Sequence, residues 1–424
     1  MSHEKPKLDI LISGAGIAGL AAAHFLLRAG HAVTIVERAT ALRASGQNVD
    51  VRGHGLTILQ RMKIPQFNAE EAVRAKTTKE KGLRFVDAAD STRAEFPVAG
   101  GTAFTGEIEI MRGDLARVLY ESVQHLSGIE FIFGKRIESI DQSIQEKAAV
   151  KLNGGWPNEA ELTTVRHFDL VIAADGIMSS TRTLAFQEAG ASAIKPLGQW
   201  SCWFSIPWSG SDSAWARWYN ATKGRMVLIR PDNHKVTRVS LWTMTRDAGV
   251  EESLTDLLGS SPAQQKQYWT KLFQDAGWEA ARVLDGLDNA DDFYMQKIAQ
   301  VKMDSWSSGR VVLIGDAGYC PSPVSGMGVT TALTGAYVLA GEVNQSPNDV
   351  QAACNAYERK LRPFVDVAQK LAPGTPGAAN PESAWGIWFL HRFLGLIVWT
   401  GLYKLFGSGI NPPSRAMDLP DYGT

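Results

Sequence analysis

The hexapeptide Gly14-Ala15-Gly16-Ile17-Ala18-Gly19, set between an apolar strand and an alanine-rich helix, constrains the fold of this chain more than any other stretch. Leu8 to Ser13 reads as a short buried strand, and Leu20 to Leu27 continues as the helix. Gly14 permits the tight turn, Gly16 lets the backbone approach a pyrophosphate, and Gly19 allows close packing of helix on strand. The free N–H groups and positive dipole end of such a helix face phosphate. Ala32 to Val36 supplies the next strand and ends at Glu37, at the spacing where a carboxylate accepts from ribose hydroxyls. The pattern predicts a βαβ unit that holds the ADP half of a dinucleotide.

A chain of 424 residues is long enough for two domains or one large discontinuous one. With 45% hydrophobic residues, 21% charged residues and a formal net charge of -1, it reads as a soluble globular protein. The absence of a basic stripe argues against nucleic acid as a partner. Cys202, Cys320 and Cys354 are too few and too widely spaced for a disulfide framework or a zinc site, so no metal is expected and a cytoplasmic, reducing setting is. Met1 to Lys7 is polar, and the apolar stretch after it is the first strand and not a secretory signal. At the other end, Ile387 to Phe406 is apolar but carries His391, Arg392 and Lys404, and its uncharged run Phe393 to Tyr403 is too short to span a bilayer. It is expected to pack on the protein body. Trp385, Trp388 and Trp399 beside cationic residues leave weak contact with a membrane surface as the alternative.

Along the chain, the loop Ala39 to Gly55 leads to a helix from about Leu56, and Ile108 to Tyr120 carries Arg112-Gly113-Asp114-Leu115 into a helical pattern. Ile129 to Phe133 and Ile137 to Leu152 suggest strands. Phe168 to Ala173, closed by Ala174-Asp175-Gly176, and Arg310 to Ile314, closed by Gly315-Asp316, are short continuous apolar runs of the kind buried on both faces of a parallel sheet. Between them Trp200 to Trp208 alternates, with Trp200, Cys202, Phe204, Ile206 and Trp208 on one face and Ser201, Trp203 and Ser205 on the other. With Met226 to Arg230 and Val236 to Met244 this predicts an antiparallel sheet with an aromatic face, either core or the wall of a pocket for a planar ligand. The fold class is α/β: a Rossmann-like nucleotide domain from residues 1–184 and 301–371, an inserted antiparallel β-sheet substrate domain at 185–300 to which 76–104 could contribute, and a linker with a C-terminal helix at 372–424.

Gly326-Met327-Gly328 then opens a small-residue helix that runs to about Val343. A carboxylate at a strand end, Asp316, beside that helix N-terminus suits a polyol chain and a ring edge that becomes anionic, as reduced flavin provides. The order Gly14 to Gly19, Glu37-Arg38, Arg112, Asp175-Gly176, Gly315-Asp316 and a Gly-x-Gly helix resembles the class A FAD-dependent monooxygenases, the para-hydroxybenzoate hydroxylase fold family, over nearly the full length to about residue 365. The resemblance implies FAD as cofactor: Glu37 on the adenosine ribose, Arg38 near the adenine, Arg112 at the phosphate or ribityl region, Asp316 on the ribityl chain, and Gly326, Gly328, Val329 and Thr330 at the ring. Asp175 and Gly176 would sit in the motif this family associates with FAD and NADPH, and Arg43 and Asp50 match the variable loop of tetracycline-inactivating members. Where many members have Ala-His after Gly-Asp-Ala this chain has Gly318-Tyr319, and where they carry Asn and Asp it has Thr330 and Gly335.

By that resemblance NADPH or NADH reduces the FAD as a transient reductant, and O2 becomes a flavin C4a-hydroperoxide whose distal oxygen hydroxylates an electron-rich aromatic, enol or polyketide-like small molecule. Arg52, Arg225, Arg230 and Tyr319 are the candidates to polarise or deprotonate the substrate. A flavin oxidase or reductase, a halogenase and a non-enzymatic GDP-dissociation-inhibitor-like protein remain alternatives; a halogenase would need Trp where this chain has Cys202 and Phe204. The protein is expected to act as monomer or dimer.

Overall fold

The computed structural model describes residues 6–43, 46–65, 67–78, 80–98, 108–143, 146–155, 165–210, 212–232, 236–402 and 416–423. Strand β1 (Asp9–Ser13), helix α1 (Ile17–Arg28) and β2 (Ala32–Glu37) form the anticipated βαβ unit. The chain continues through β3 (Asn48–Val51), α2 (His54–Arg61), β4 (Lys63–Ile64), β5 (Phe67–Asn68), α3 (Ala69–Arg74), β6 (Gly82–Val86), β7 (Thr92–Pro97) and β8 (Ile108–Met111). Helix α4 (Arg112–Glu121), β9 (Ile129–Phe133), β10 (Ile137–Asp141), β11 (Ala148–Leu152), β12 (Arg166–Phe168), β13 (Leu170–Ala173) and α5 (Ser180–Ala191) follow. Then come β14 (Ile194–Pro207), β15 (Ala216–Ala221), β16 (Arg225–Pro231), β17 (Val236–Met244), α6 (Ala248–Leu257), α7 (Pro262–Phe273), α8 (Ala280–Asn289) and β18 (Tyr294–Val301). The last stretch holds β19 (Ser307–Ser308), β20 (Val311–Leu313), α9 (Asp316–Tyr319), α10 (Gly328–Gln345), α11 (Val350–Ala368) and α12 (Ala384–Thr400).

The nucleotide sheet has the order β19-β20-β13-β1-β2-β9, parallel except for the short β19. Its central strands are apolar throughout because helices cover one face and the small sheet β10-β11-β12 the other. The second, seven-stranded sheet has the order β18-β14-β17-β16-β15-β6-β7. It departs from a purely antiparallel arrangement at one joint, where β6 runs parallel to β15. That joint recruits residues 82–97 into the sheet, across a crossover too long for a hairpin.

Three helices, α6 to α8, follow β17 within the segment 185–300 that the sequence predicts as an antiparallel sheet. They cover the face formed by Trp200, Cys202, Phe204 and Ile206, which is core; Trp200 is fully buried and its indole N–H donates to Glu251. Trp208, assigned to that face by its parity, lies beyond the strand and is half exposed. The opposite face carries Trp203, Trp242 and Tyr294, and Trp203 stacks on Tyr294 at 5.1 Å between ring centroids. At the far end of that same face α12 packs Leu390, Leu394 and Val398 on Leu83, Phe85 and Phe96. Tyr403 to Phe406, the end of the stretch read as one helix, lie outside the described residues. The last segment is more than a linker and helix: 416–423 returns to the nucleotide domain, where Met417 joins its core and Tyr422 packs on α10.

Candidate functional site

Two distant glycine turns meet at the carboxyl ends of β1 and β20. Gly14 takes φ +108°, a conformation that favours glycine, and a Cβ there would lie 2.6 Å from the Ala174 carbonyl oxygen. A Cβ on Gly19 would overlap the Gly14 carbonyl oxygen, so close helix–strand packing requires glycine. Gly16 is different: a Cβ there meets nothing within 4 Å, and neither does one on Gly328 at the start of α10. Both open positions sit at helix N-termini, where N–H groups have no intrahelical partner. A Cβ on Gly315 would come 2.9 Å from the Ala18 side chain, so the Gly315-Asp316 turn lies directly against α1.

Charged groups surround this cradle. Glu37 accepts from the N–H groups of Ala15 (3.0 Å) and Ala39 (2.9 Å), which fixes its carboxylate beside the first turn. Arg38, directly after Glu37, and Arg43 are both exposed. Burial raises the Asp316 carboxyl above its usual value, and the nearby Arg112 guanidinium opposes that rise. Arg112 also acts on Tyr294, whose hydroxyl donates to the Gln47 side chain and is pushed up by burial. The Arg52 guanidinium pairs with Asp50 at 2.8 Å, while its N–H and carbonyl both meet the Thr330 hydroxyl at 3.2 Å. A Cβ on Gly326 would be 3.8 Å from the Asp50 carboxylate, which places Asp50 at the turn that precedes α10. Val329 is buried behind Thr330.

Several residues singled out in the sequence stand elsewhere. Asp175 is committed to α5: it accepts from the Ser179 hydroxyl (2.5 Å), the Thr181 N–H (3.1 Å) and the Thr181 hydroxyl (3.0 Å). It organises the chain below the cradle, with Gly176 at φ +85° beside it. Arg225 points into the helical layer, where it donates to the Thr222 and Leu272 carbonyls and pairs with Asp275. β-strand parity puts it on the face opposite Trp203, so it is a packing residue and not a substrate contact. Tyr319 is 1% exposed, its hydroxyl 2.9 Å from that of Tyr357, and burial pushes it up, which rules it out as a base open to the site. Cys202 and Phe204, the positions a halogenase would need, likewise face α6 to α8.

Arg230 is on the face that carries Trp203. It forms a two-pronged pair with Glu80, both contacts at 3.0 Å, and an ion pair with Glu109 of β8. Glu80 and Glu109 escaped the sequence reading, although an acidic residue inside the apolar run Ile108-Glu109-Ile110-Met111 was the available signal. Arg182 was also missed: it is buried and donates to the carbonyls of Ile177, Gly190 and Ala317, which ties α5 to the turn holding Asp316. No cluster of side chains among the described residues could hold a metal ion. No helix among them is long and apolar enough to cross a membrane.

Comparison with known proteins agrees with this cradle. The model of the FAD binding domain family matches residues 7–368. Monooxygenase CTB7 of Cercospora beticola is 35% identical over 422 residues, covering 97% of each chain. The crystal structure of the tetracycline destructase Tet(51) superimposes with a TM-score of 0.77 at 29% identity over 98% of this chain and 100% of that one. At 17% identity, HpxO of Klebsiella pneumoniae complexed with FAD shares the fold, with a TM-score of 0.73 over 97% of this chain and 100% of that one.

Proposed function

The chain belongs to the FAD binding domain family and is an FAD-dependent monooxygenase, and from that premise we propose that it spends NAD(P)H and O2 to oxygenate an electron-rich aromatic, enol or polyketide-like molecule. The observation that carries the reading is the meeting of the Gly14–Gly19 turn with Gly315-Asp316 and the open N-terminus of α10. In this assignment Gly14, Gly16, Gly19 and Glu37 hold the adenosine and pyrophosphate end, with Arg38 and Arg43 flanking it. Arg112 and Asp316 take the ribityl region, and the N–H groups of Gly328, Val329 and Thr330 face the ring. Asp175, Gly176 and Arg182 position the strand ends beneath it. FAD bound there supplies the redox chemistry that activates O2.

The protein's part is to orient the substrate and exclude water. Trp203, Trp242 and Tyr294 offer stacked and edge-on ring surfaces to a planar molecule. Arg52 and Arg230 stand on this side of the large sheet, and Arg230 takes the place of Arg225 as the cation that meets an enolate or phenolate oxygen. Tyr319 is withdrawn from the substrate and kept as a support for Asp316.

The test is a stopped-flow screen of aromatic and polycyclic enols against the yellow holoenzyme, followed by turnover under 18O2. A substrate is expected to accelerate NADPH-driven flavin reduction at least tenfold and to gain one labelled oxygen atom. Reduction that yields only hydrogen peroxide and an unlabelled product across the screen would instead establish an oxidase or reductase.

A further inference from the structure

Arg230 is the meeting point of an unbalanced set of buried charges. Its guanidinium joins Glu80, whose side chain is 1% exposed, to Glu109, at 6%, while its own side chain remains 22% exposed. Glu80 comes from the segment before β6, Glu109 from β8 and Arg230 from β16, so the cluster bolts the large sheet to the β3–β8 ribbon. Directly across that ribbon Asp50 is paired in register with Glu109 and lies on the same face, carrying Arg52 as its own partner. Among the described residues, three carboxylates, Glu80, Glu109 and Asp50, therefore face two guanidiniums, Arg230 and Arg52. An unmatched negative charge in a dry site is expensive, and a proton on one of the carboxylates would relieve it. Beside it the Asn48 side chain lies against Glu109 and, as a hydrogen-bond partner, favours the ionised carboxylate.

We propose that Glu109 is a proton-holding positioning residue that governs the charge Arg230 offers, so that the site takes its aromatic substrate as an anion together with one proton on Glu109. With Glu109 protonated, Arg230 is balanced by Glu80 and answers an incoming phenolate, enolate or carboxylate. With Glu109 ionised, the guanidinium is already shared between two carboxylates and an anion is repelled. When the substrate arrives as a neutral phenol or enol and Glu109 is ionised, the substrate O–H bond breaks and an O–H bond forms on the Glu109 carboxylate, with no change in oxidation state. Burial, opposed by Arg230 and the Asn48 hydrogen bond and reinforced by Glu80 and Asp50, pushes the Glu109 carboxyl up to about 8. The site is thus electrically balanced and open to an anion near neutral pH, and carries a repelling negative charge in mild alkali.

The inference rests on the proposed substrate side of the sheet, and its test separates the two. 2-Naphthoate, anionic throughout, and 2-naphthamide, its neutral counterpart, are titrated into the FAD holoenzyme from pH 6.5 to 9.5, with tryptophan fluorescence as readout. In the wild type the 2-naphthoate Kd should be level at the acid end and weaken toward tenfold per pH unit above about pH 8. 2-Naphthamide should show no such slope, and Glu109→Gln should bind 2-naphthoate with a level Kd over the whole range. A level wild-type profile, an unchanged slope in Glu109→Gln, or no 2-naphthoate binding by either protein overturns the proposal. If the variant does not fold, the contrast between the two probes on the wild type decides. Failure to hold FAD or to incorporate 18O would strike the oxygenation reading, whereas an active yellow enzyme with a level 2-naphthoate profile strikes this one alone.

Discussion

Tyr319 and Gly335 explain each other. A Cβ on Gly335 would overlap the Tyr319 hydroxyl, so the chain places tyrosine after Gly318 and leaves α10 without a side chain opposite it. Both positions had stood out as departures from the family pattern; packed together, they are one substitution in two parts. Gly335→Ala should therefore destabilise the protein by about 1–3 kcal/mol through overpacking, read as a lower urea midpoint. Tyr319→Phe should relieve part of that loss, and the double variant should depart from additivity by more than about 0.5 kcal/mol. A Gly335→Ala protein with an unchanged midpoint would refute the pairing. Gly14, Gly16, Gly19 and Glu37 were readable because their roles depend on neighbours within one βαβ unit. Arg182, Glu80 and Glu109 were not, because their partners lie far along the chain and no local pattern marks them.

Helix α12 has no polar face to tell its inside from its outside. Leu394 is 9% exposed against the large sheet, whereas Leu396, two residues on, is 53% exposed beside Trp388, Phe393 and Trp399 on the outer side. Leu394→Ala should cost about 2 kcal/mol, and Leu396→Ala less than about 0.5 kcal/mol, both measured as urea midpoints. Equal costs would mean that the helix is not seated as described. Period-2 alternation in β14 was equally legible but equally mute about direction. It separated Trp200 from Trp203 correctly, yet only the arrival of α6 to α8 decides that Trp200 is core and Trp203 stacks with Tyr294 on the other face. Helix-start signals were present, Asp247 capping α6 and the Ser261-Gln264 capping box with Pro262 opening α7, but such signals do not say which face of the sheet a helix will cover.

At the scale of the whole molecule, residues 416–423 close the chain back onto its first domain. The Met417 carbonyl meets His54 at 2.8 Å, the Pro420 carbonyl accepts from Arg61 at 2.8 Å, and Tyr422 fills the space beside Gly341, where a Cβ would overlap its ring. A chain stopped at residue 415 should lose about 2–4 kcal/mol from the unburied Met417 and Tyr422 side chains, visible as a melting temperature several degrees lower. An unchanged melting temperature would show that the tail contributes nothing. The sequence alone determined the nucleotide cradle, the flavin and the class of reaction, since glycine sterics and helix N-termini act over a few residues and leave their mark in order. Only the tertiary structure decided that Arg230 and not Arg225 shares a face with Trp203, which carboxylates pair with it, which face of the sheet α6 to α8 cover and where the tail returns. Those outcomes are contacts between distant segments, 150 residues apart for Arg230 and Glu80 and 359 for Arg61 and Pro420, and burial against a distant partner imposes no period on either stretch that makes it.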